Sequence, residues 1–414
     1  MRILIVSQYF WPENFRINDL VLGLIERGHK ITVLTGIPNY PDGHFFAGYG
    51  IFRKNRDNYH GAKVIRIPII PRGKGCGFRL ALNYFSFVVS GCMFVPLRCR
   101  EKYDLIFIYE PSPITVALPA LLIKAIRNIP VMFWVQDLWP ESLAATGAIT
   151  ARRSLNIVAH IVRFIYRRCD KILITSESYR KSVEHYNGSP KHIHYFPQCA
   201  EDFFQPVSEK KNIAALNSLP PGFWVMFAGN IGAAQDFETI IAAAERIKNY
   251  KEIHWIIVGD GRKRKWAESE VIKRGLSSNF HFLGRHPAEV MPQFFSHADA
   301  MLVTLKNEPI FALTIPAKIQ SYLACSMPII AALDGEGAGI IDSSGAGYTC
   351  PAEDPDAFAK TVLKMYKTPK RERVEMGMRG RAYCESNFDR DRLLDKLDKW
   401  MSELVCAGNK KTTS

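Results

Sequence analysis

Short apolar, β-branched runs alternate with longer amphipathic ones along nearly the whole chain, and no other feature of the 414 residues constrains the fold as strongly. Ile3–Val6, Ile31–Leu34, Val64–Ile67, Leu105–Tyr109, Val131–Val135, Ile172–Thr175 and Ile193–Phe196 read as strands. Helical periodicity occupies Ile17–Arg27 and Ser154–Arg168, and Gly28 directly after Arg27 is a helix stop. Strand, crossover and strand with helices between them demand a parallel sheet covered on both faces. After Pro206 the pattern restarts with strands at Trp224–Phe227, Ile253–Val258, His281–Leu283, Ala300–Thr304 and Ile329–Ala331. Helical runs at Thr239–Lys248, Lys263–Arg274 and Ile315–Cys325 separate them. The expected fold is therefore α/β, with two doubly wound, Rossmann-like domains at residues 1–204 and 205–388 facing across a ligand cleft. Polar Ser208–Leu219, closed by Pro220-Pro221-Gly222, reads as the link. Helices near Arg371–Ser386 and Arg390–Leu404 end the chain; the segment 389–406 is expected to pack back on the first domain, and Gly408–Ser414 to fray.

Charge divides the two halves. The first 200 residues carry 26 basic and 13 acidic side chains, the remainder 28 and 27, so almost all of the net +14 belongs to the first half. Such a field concentrates anions: phosphates, nucleic acid or an acidic membrane surface. No zinc, RRM or KH signature and no interleaved basic and aromatic stripe supports nucleic acid. Nine cysteines without a C-x-x-C pair give neither a zinc ribbon nor a disulfide framework and suit a reducing cytoplasm. The N-terminal Met1–Val6 run reads as a first strand, not a signal peptide. Leu80–Leu97 holds 18 residues without a charge, flanked by Arg72, Lys74, Arg79, Arg98, Arg100 and Lys102. Three readings are open for it: a buried crossover helix, an interfacial helix, or a span. The amphipathic run from Ser154 to Lys171, with Arg163, Arg167 and Lys171 beside an apolar side, has two readings: a second in-plane contact with a membrane, or core packing with a solvated basic face.

Three turns in the second half carry candidate chemistry. Gly229-Asn230-Ile231-Gly232, followed by Gln235, sits between a strand and a helix, where backbone N–H groups and a helix N-terminus favour a diphosphate. It is not G-x-G-x-x-G, so nothing here points to a nicotinamide cofactor. Thr314-Ile315-Pro316-Ala317-Lys318 places a lysine in the first turn of a helix, against the helix dipole, which suggests that a bound anion compensates. Asp334-Gly335-Glu336-Gly337-Ala338-Gly339 offers Glu336 to sugar hydroxyls. In the first half, segments containing Asn14, Asn39 with Tyr40, and Asp137 with Glu141 all follow strands, at the edge where doubly wound sheets bind ligands. Asp137 and Glu141 can hydrogen-bond a hydroxyl or take its proton; capping is the competing role. The two D-x-D runs, Asp354–Asp356 and Asp389–Asp391, lie at helix starts and read as structural, so no metal site is expected.

Taken together, Gly28–Gly36, Pro38-Asn39-Tyr40-Pro41, Val135–Ser142, Ala228–Gly232 and Pro316-Ala317-Lys318 resemble family 4 glycosyltransferases of the GT-B fold, in order along nearly the whole chain. Within that family the sequence is most similar to bacterial L-fucosamine transferases of the WbuB type. The resemblance implies a retaining transferase that moves N-acetyl-L-fucosamine from a UDP-sugar to an undecaprenyl-diphosphate-linked sugar in O-antigen or capsule synthesis. It also implies work without a metal or cofactor, in the cytoplasm and peripheral to the anionic inner membrane. By the same resemblance Asp137 and Lys318 are the catalytic candidates. Gly229, Asn230, Gly232, Gln235, Lys318, Glu336, Gly337 and Ala338 are donor-binding, and Asn14, Asn39, Tyr40 and Glu141 acceptor-binding. Relatives carry Arg and Lys in the loop that here holds Asn230, Gln235 and Asp236, which leaves most of the diphosphate charge to Lys318. Leu313 and Ser321 replace two glutamates, making Glu336 the substitute, and Gln136 replaces a histidine. Two alternatives fit the same motifs: a nucleotide-sugar epimerase of the same fold, and a catalytically silent subunit that binds UDP or lipid.

Overall fold

A computed structural model describes residues 1–73 and 77–412, and the chain divides into two compact units. The first comprises Met1–Pro197 and the C-terminal segment from Asp391, the second Gln198–Arg390. The division falls at Pro197/Gln198, ahead of the expected 204/205, because Phe204 and Leu216 are buried in the core of the second unit. The polar stretch read as a link is thus part of that unit.

In the first unit, β1 (Arg2–Val6), β2 (Lys30–Gly36), β3 (Arg56–Tyr59), β4 (Ala62–Ile67), β5 (Leu105–Glu110), β6 (Val131–Val135), β7 (Lys171–Ile174) and β8 (Ile193–Tyr195) form one sheet ordered β3-β4-β2-β1-β5-β6-β7-β8. All pairings are parallel except β3 with β4. The order reverses direction between β1 and β5, which opens the loops after those strands into a crevice at the carboxyl edge. β1, β2, β5 and β6 are buried almost throughout, as strands covered on both faces must be. The last helix runs Arg390–Thr412, into the stretch expected to fray; residues 413 and 414 lie outside the described residues. Arg27 pairs with Asp391 at 3.1 Å and Asp395 at 2.9 Å, and His29 lies 3.0 Å from Asp398, fastening this helix to the first unit.

The segment with three open readings forms helix α2 (Gly77–Arg98), following α1 (Arg16–Glu26) and preceding α3 (Ala117–Arg127). It is long and apolar enough to cross a membrane, yet it packs by a single narrow stripe. Asn83, Phe87, Gly91 and Val95 recur every fourth residue and are buried. At Gly91 a Cβ would stand 2.4 Å from Pro119 Cγ, so glycine permits the close crossing of α2 over α3. The opposite face holds Phe78, Phe85, Val89, Met93 and Leu97 in the open, with Phe78 79% and Phe85 65% exposed. The reading as a fully buried helix is therefore corrected. Of the basic residues read as its N-terminal flank, Arg72 precedes α2 and Arg79 lies in its first turn; Lys74 lies outside the described residues.

In the second unit, β9 (Phe223–Ala228), β10 (Ile253–Val258), β11 (Phe280–Gly284), β12 (Ala300–Thr304), β13 (Ile329–Ala332) and β14 (Gly347–Cys350) form an all-parallel sheet ordered β11-β10-β9-β12-β13-β14. Side chains alternate between two cores. Val225, Phe227, Trp255 and Ile257 face one, Met226, Ala228, Ile256 and Val258 the other. Each large side chain so buried contributes about 1.5–3 kcal/mol. The direction reverses between β9 and β12, which sets the turn after β9 at the ligand-binding position of such sheets.

Candidate active site

At the carboxyl edge of the first unit, one buried carboxylate ties two loops together. Glu13 Oε1 accepts the N–H groups of Asn39 and Tyr40, each at 2.7 Å, and Oε2 accepts that of Phe10 at 3.2 Å. Burial pushes its carboxyl up to about 7 despite those donors. Asn39, expected to touch acceptor, is instead fully buried, with both ends of its amide engaged. Its Nδ2 donates to the Ile37 carbonyl at 3.0 Å, and its Oδ1 accepts from Arg72 N–H at 2.9 Å. It positions the loop that presents Tyr40, which is partly exposed. Asn14 is exposed beside them.

Deeper along the same edge lies an acidic pair. Glu110 at the end of β5 is fully buried; its Oε2 accepts the N–H groups of Gln136 at 3.4 Å and Asp137 at 3.3 Å. Burial, with the neighbouring Asp137 charge, holds its carboxyl well above the ordinary range. Asp137 is partly open to solvent and raised to about 6 by burial, opposed by Ser142, Trp139 and Ser112 around it. Ser112 is a hub: its Oγ accepts from Trp139 Nε1 at 3.1 Å, and it faces Tyr84 and Asp137. Its φ of 111° is rare for a residue with a side chain, a strain of about 1–3 kcal/mol of the kind that clusters at functional sites. Glu141 Oε1 accepts from Ser182 Oγ at 2.6 Å, which turns one side of that carboxylate toward the fold.

In the second unit, the turn after β9 is built differently from the expected row of free donors. Gly229 N–H goes to the Val258 carbonyl at 2.8 Å, Ile231 N–H to that of Asp260 at 2.9 Å, and Gly232 N–H to Gln235 Oε1 at 3.1 Å. Gln235 closes the turn, with Asn230 Nδ2 also 3.5 Å from its oxygen. The glycines provide space instead. A Cβ on Gly229 would stand 2.7 Å from Lys318 Cε, and one on Gly259, in the turn after β10, 1.9 Å from the Gly229 carbonyl oxygen. Gly261 approaches the Ile231 backbone in the same way.

Lys318 belongs to the first turn of helix Ala317–Ala324, with Pro316 as its cap residue. Its Nζ lies 3.5 Å from the centre of the Phe227 ring, and no described carboxylate pairs with it. Burial among apolar groups lowers its pKa to about 7, so the charged form lacks compensation in the free chain. Glu336 and Ala338 are partly exposed, and Gly337 is buried in the first turn of helix Glu336–Ser344; a Cβ at Gly337 would stand 3.2 Å from Pro316 Cδ. Gly229, Lys318 and the Gly337 turn are thereby brought together. The aspartates of one D-x-D run have structural partners: Asp354 Oδ1 accepts from Asp356 N–H at 3.1 Å and Ala357 N–H at 2.9 Å, and Asp356 pairs with Arg246. In the other, Asp391 pairs with Arg27.

Sequence reasoning missed Glu13, Glu110, Ser112 and the Gly259-Asp260-Gly261 turn. Two signals were available: an acid ending the otherwise apolar strand Leu105–Glu110, and paired glycines directly after an apolar strand.

Two unlike carboxyl edges, one acidic and one with a single uncompensated lysine, suit a hydroxyl on the first unit and an anion on the second. The family description "Glycosyl transferase 4-like domain" matches residues 14–199, and "Glycosyl transferases group 1" matches residues 222–368. The chain belongs to this glycosyltransferase family and is an enzyme of the GT-B fold. It is 24% identical over 410 residues to the putative colanic acid biosynthesis glycosyl transferase WcaI of Escherichia coli, covering 95% of this chain and 98% of that protein. Among solved structures, the sucrose-phosphate synthase of Thermosynechococcus elongatus aligns at a TM-score of 0.77 and 17% identity, over 98% of this chain and 99% of that one. HepE of Anabaena in complex with UDP aligns at 0.70 and 14%, over 97% of this chain and 100% of that one.

Proposed function

We propose that the enzyme transfers a sugar from UDP to a hydroxyl of an undecaprenyl-diphosphate-linked acceptor, with retention at the anomeric carbon, in the synthesis of a surface polysaccharide such as O-antigen or capsule. N-acetyl-L-fucosamine is the donor sugar that the sequence resemblance favours. Lys318 is the observation that carries this reading: a cation without a carboxylate, on a helix start, is arranged for a diphosphate that gains charge as it leaves. The UDP held by HepE and the role in WcaI's name support the donor class and the polysaccharide setting. Transfer then needs a leaving group stabilised by Lys318 and a hydroxyl oriented at Asp137, not a nucleophilic side chain. Gly229, Asn230, Gly232, Glu336, Gly337 and Ala338 shape the donor side, and Gln235 holds its turn. Tyr40, Asn14 and Glu141 border the acceptor. No metal is needed in this reading, and excess chelator leaves activity intact.

The enzyme works at the cytoplasmic face of the inner membrane. α2 supports this seat, since its buried stripe fixes it to the first unit while Phe85, Val89, Met93 and Leu97 are free to enter lipid, with Arg98 and Arg100 at its end. Spanning would strip Phe87, Gly91 and Val95 from their packing, so the helix lies in plane. The test is UDP release from a panel of UDP-sugars, including UDP-N-acetyl-L-fucosamine, with and without a lipid-diphosphate-linked acceptor. Acceptor-dependent release that falls in Lys318→Ala is expected; release from donor alone, or none despite UDP binding, would overturn it.

A further inference from the structure

The loop joining β4 to α2 carries a cation that no described carboxylate neutralises. Its backbone is pinned twice to the loop after β2: Arg72 N–H donates to Asn39 Oδ1 at 2.9 Å, and the next amide, Gly73 N–H, donates to the Gly43 carbonyl at 3.1 Å. The guanidinium carbon lies 4.8 Å from the centre of the Tyr40 ring and 6.0 Å from that of Tyr9. Tyr9 in turn stacks on Phe15 with centroids 5.1 Å apart and planes inclined by 10°. Nε is buried and has no hydrogen-bond partner. Three other partly buried arginines do have carboxylates: Arg27 has Asp391 and Asp395, Arg274 has Glu245 and Glu270, and Arg373 has Asp299.

Aromatic faces orient a guanidinium without cancelling its charge, and an N–H left unpaired in a buried place is a standing cost that a ligand removes. The planar fork then matches an oxyanion of phosphate type, which accepts two parallel hydrogen bonds. Position narrows the ligand. Arg72 precedes α2 by a few residues, at the end of the helix from which the apolar face begins with Phe78 and Phe85. On its other side its charge acts on Tyr84, and the Tyr84 phenol faces Ser112, next to Asp137. A phosphate on Arg72 thus has a lipid-compatible surface on one flank and the hydroxyl-orienting group on the other.

We propose that Arg72, framed by Tyr9 and Tyr40, binds a phosphate group of the acceptor, namely the diphosphate that joins its sugar to its lipid. This deepens the reading of the first unit as the acceptor side and rests on it. Tyr40 then lies where a sugar ring next to that phosphate packs, and Arg72 sets the distance from phosphate to the hydroxyl at Asp137.

The test is calorimetric titration of the full chain with inorganic pyrophosphate in saturating UDP, which occupies the donor side. Arg72→Met is expected to weaken binding at least tenfold and to flatten its salt dependence. Arg72→Lys, which keeps the charge but not the fork, weakens it several-fold and serves if the methionine variant does not fold. A second arm floats the protein with phosphatidylcholine vesicles with and without undecaprenyl diphosphate. Loss of the diphosphate-dependent flotation in Arg72→Met supports a lipid headgroup as the source. Weakened pyrophosphate binding with unchanged flotation supports phosphate binding but overturns the lipid source. Pyrophosphate binding equal to wild type in both variants overturns the site. None of these readouts depends on turnover, so failure of the transferase reading is seen separately, as the absence of UDP release from every donor.

Discussion

The two carboxyl edges of this chain treat charge in opposite ways. On the first unit, Glu13, Glu110 and Asp137 are acids whose burial raises their pKa values, and each receives backbone N–H groups or neighbouring side-chain donors. On the second, Lys318 is a base whose burial lowers its pKa, with only the Phe227 ring for company. Carboxyls raised above the ordinary range are suited to hold or accept a proton from a neutral hydroxyl. A lysine near neutrality is suited to become fully charged when an anion arrives. The difference teaches how the proposed transfer would be divided: negative charge developing at the lysine of the second unit, and a proton taken up among the raised carboxyls of the first.

Removing Lys318 is the largest way to break that contrast. The N–H groups of Gly229, Ile231 and Gly232 are engaged by Val258, Asp260 and Gln235, so those three do not take over the role of the lysine. Lys318→Ala is expected to lower turnover at least tenfold, about 1.4 kcal/mol, and toward the 10²–10³-fold typical of a lost transition-state donor. Steady-state UDP release checks it, and unchanged turnover would remove the lysine from the mechanism. UDP affinity also sharpens the contrast, since the charged lysine binds the diphosphate and its fraction falls as pH rises through about 7. Wild-type UDP affinity therefore decreases above that pH, and the decrease is absent in the alanine variant.

Next in size is Gly259→Ala. Its φ of 145° and the 1.9 Å approach of a Cβ to the Gly229 carbonyl leave the backbone no choice but to move. About 2–3 kcal/mol of stability is expected to be lost, read from urea denaturation. The same substitution at Gly339, where a Cβ meets nothing within 4 Å, leaves stability within about 0.5 kcal/mol.

How much of this was legible in the sequence follows the same physics. Strands buried on both faces announced themselves as apolar runs, and so did the helix holding Lys318, because periodicity is local. β3, spelled Arg56-Asp57-Asn58-Tyr59, and β14, spelled Gly347-Tyr348-Thr349-Cys350, are edge strands without that signal and escaped it. Asp137 and Lys318 stood out by motif. Glu13 and Asn39 look like loop residues in the sequence, and only the approach of two loops from different strands turns them into a brace. The turn at Gly229 was read as a set of donors because sequence does not tell where each N–H goes.

A smaller effect probes the acidic edge at the reacting position. Asp137 has a pKa of about 6, above the ordinary 3.8, so its carboxylate form is lost as pH falls through about 6. If the carboxylate orients or deprotonates the acceptor, wild-type kcat falls up to tenfold per pH unit below that point. Asp137→Asn is slower at pH 8 and has no such limb; a limb that persists in the variant would assign the titration elsewhere.

The smallest expected effect concerns the brace. Glu13 has a folded pKa of about 7 against an ordinary 4.5. Between those two values the folded chain holds a proton that the unfolded chain has released, so stability decreases as pH rises through this window and levels off above about 7. One proton contributes at most about 1.4 kcal/mol per pH unit, and Glu110 and Asp137, shifted in the same direction, contribute slopes of the same sign. Glu13→Gln keeps an oxygen to accept from Asn39 or Tyr40 but cannot titrate. The slope of urea-unfolding free energy against pH over 5–7 should therefore be shallower than in wild type and not abolished. An unchanged slope would mean that Glu13 is already ionised at pH 5, stabilised by its three N–H donors more than burial disfavours it.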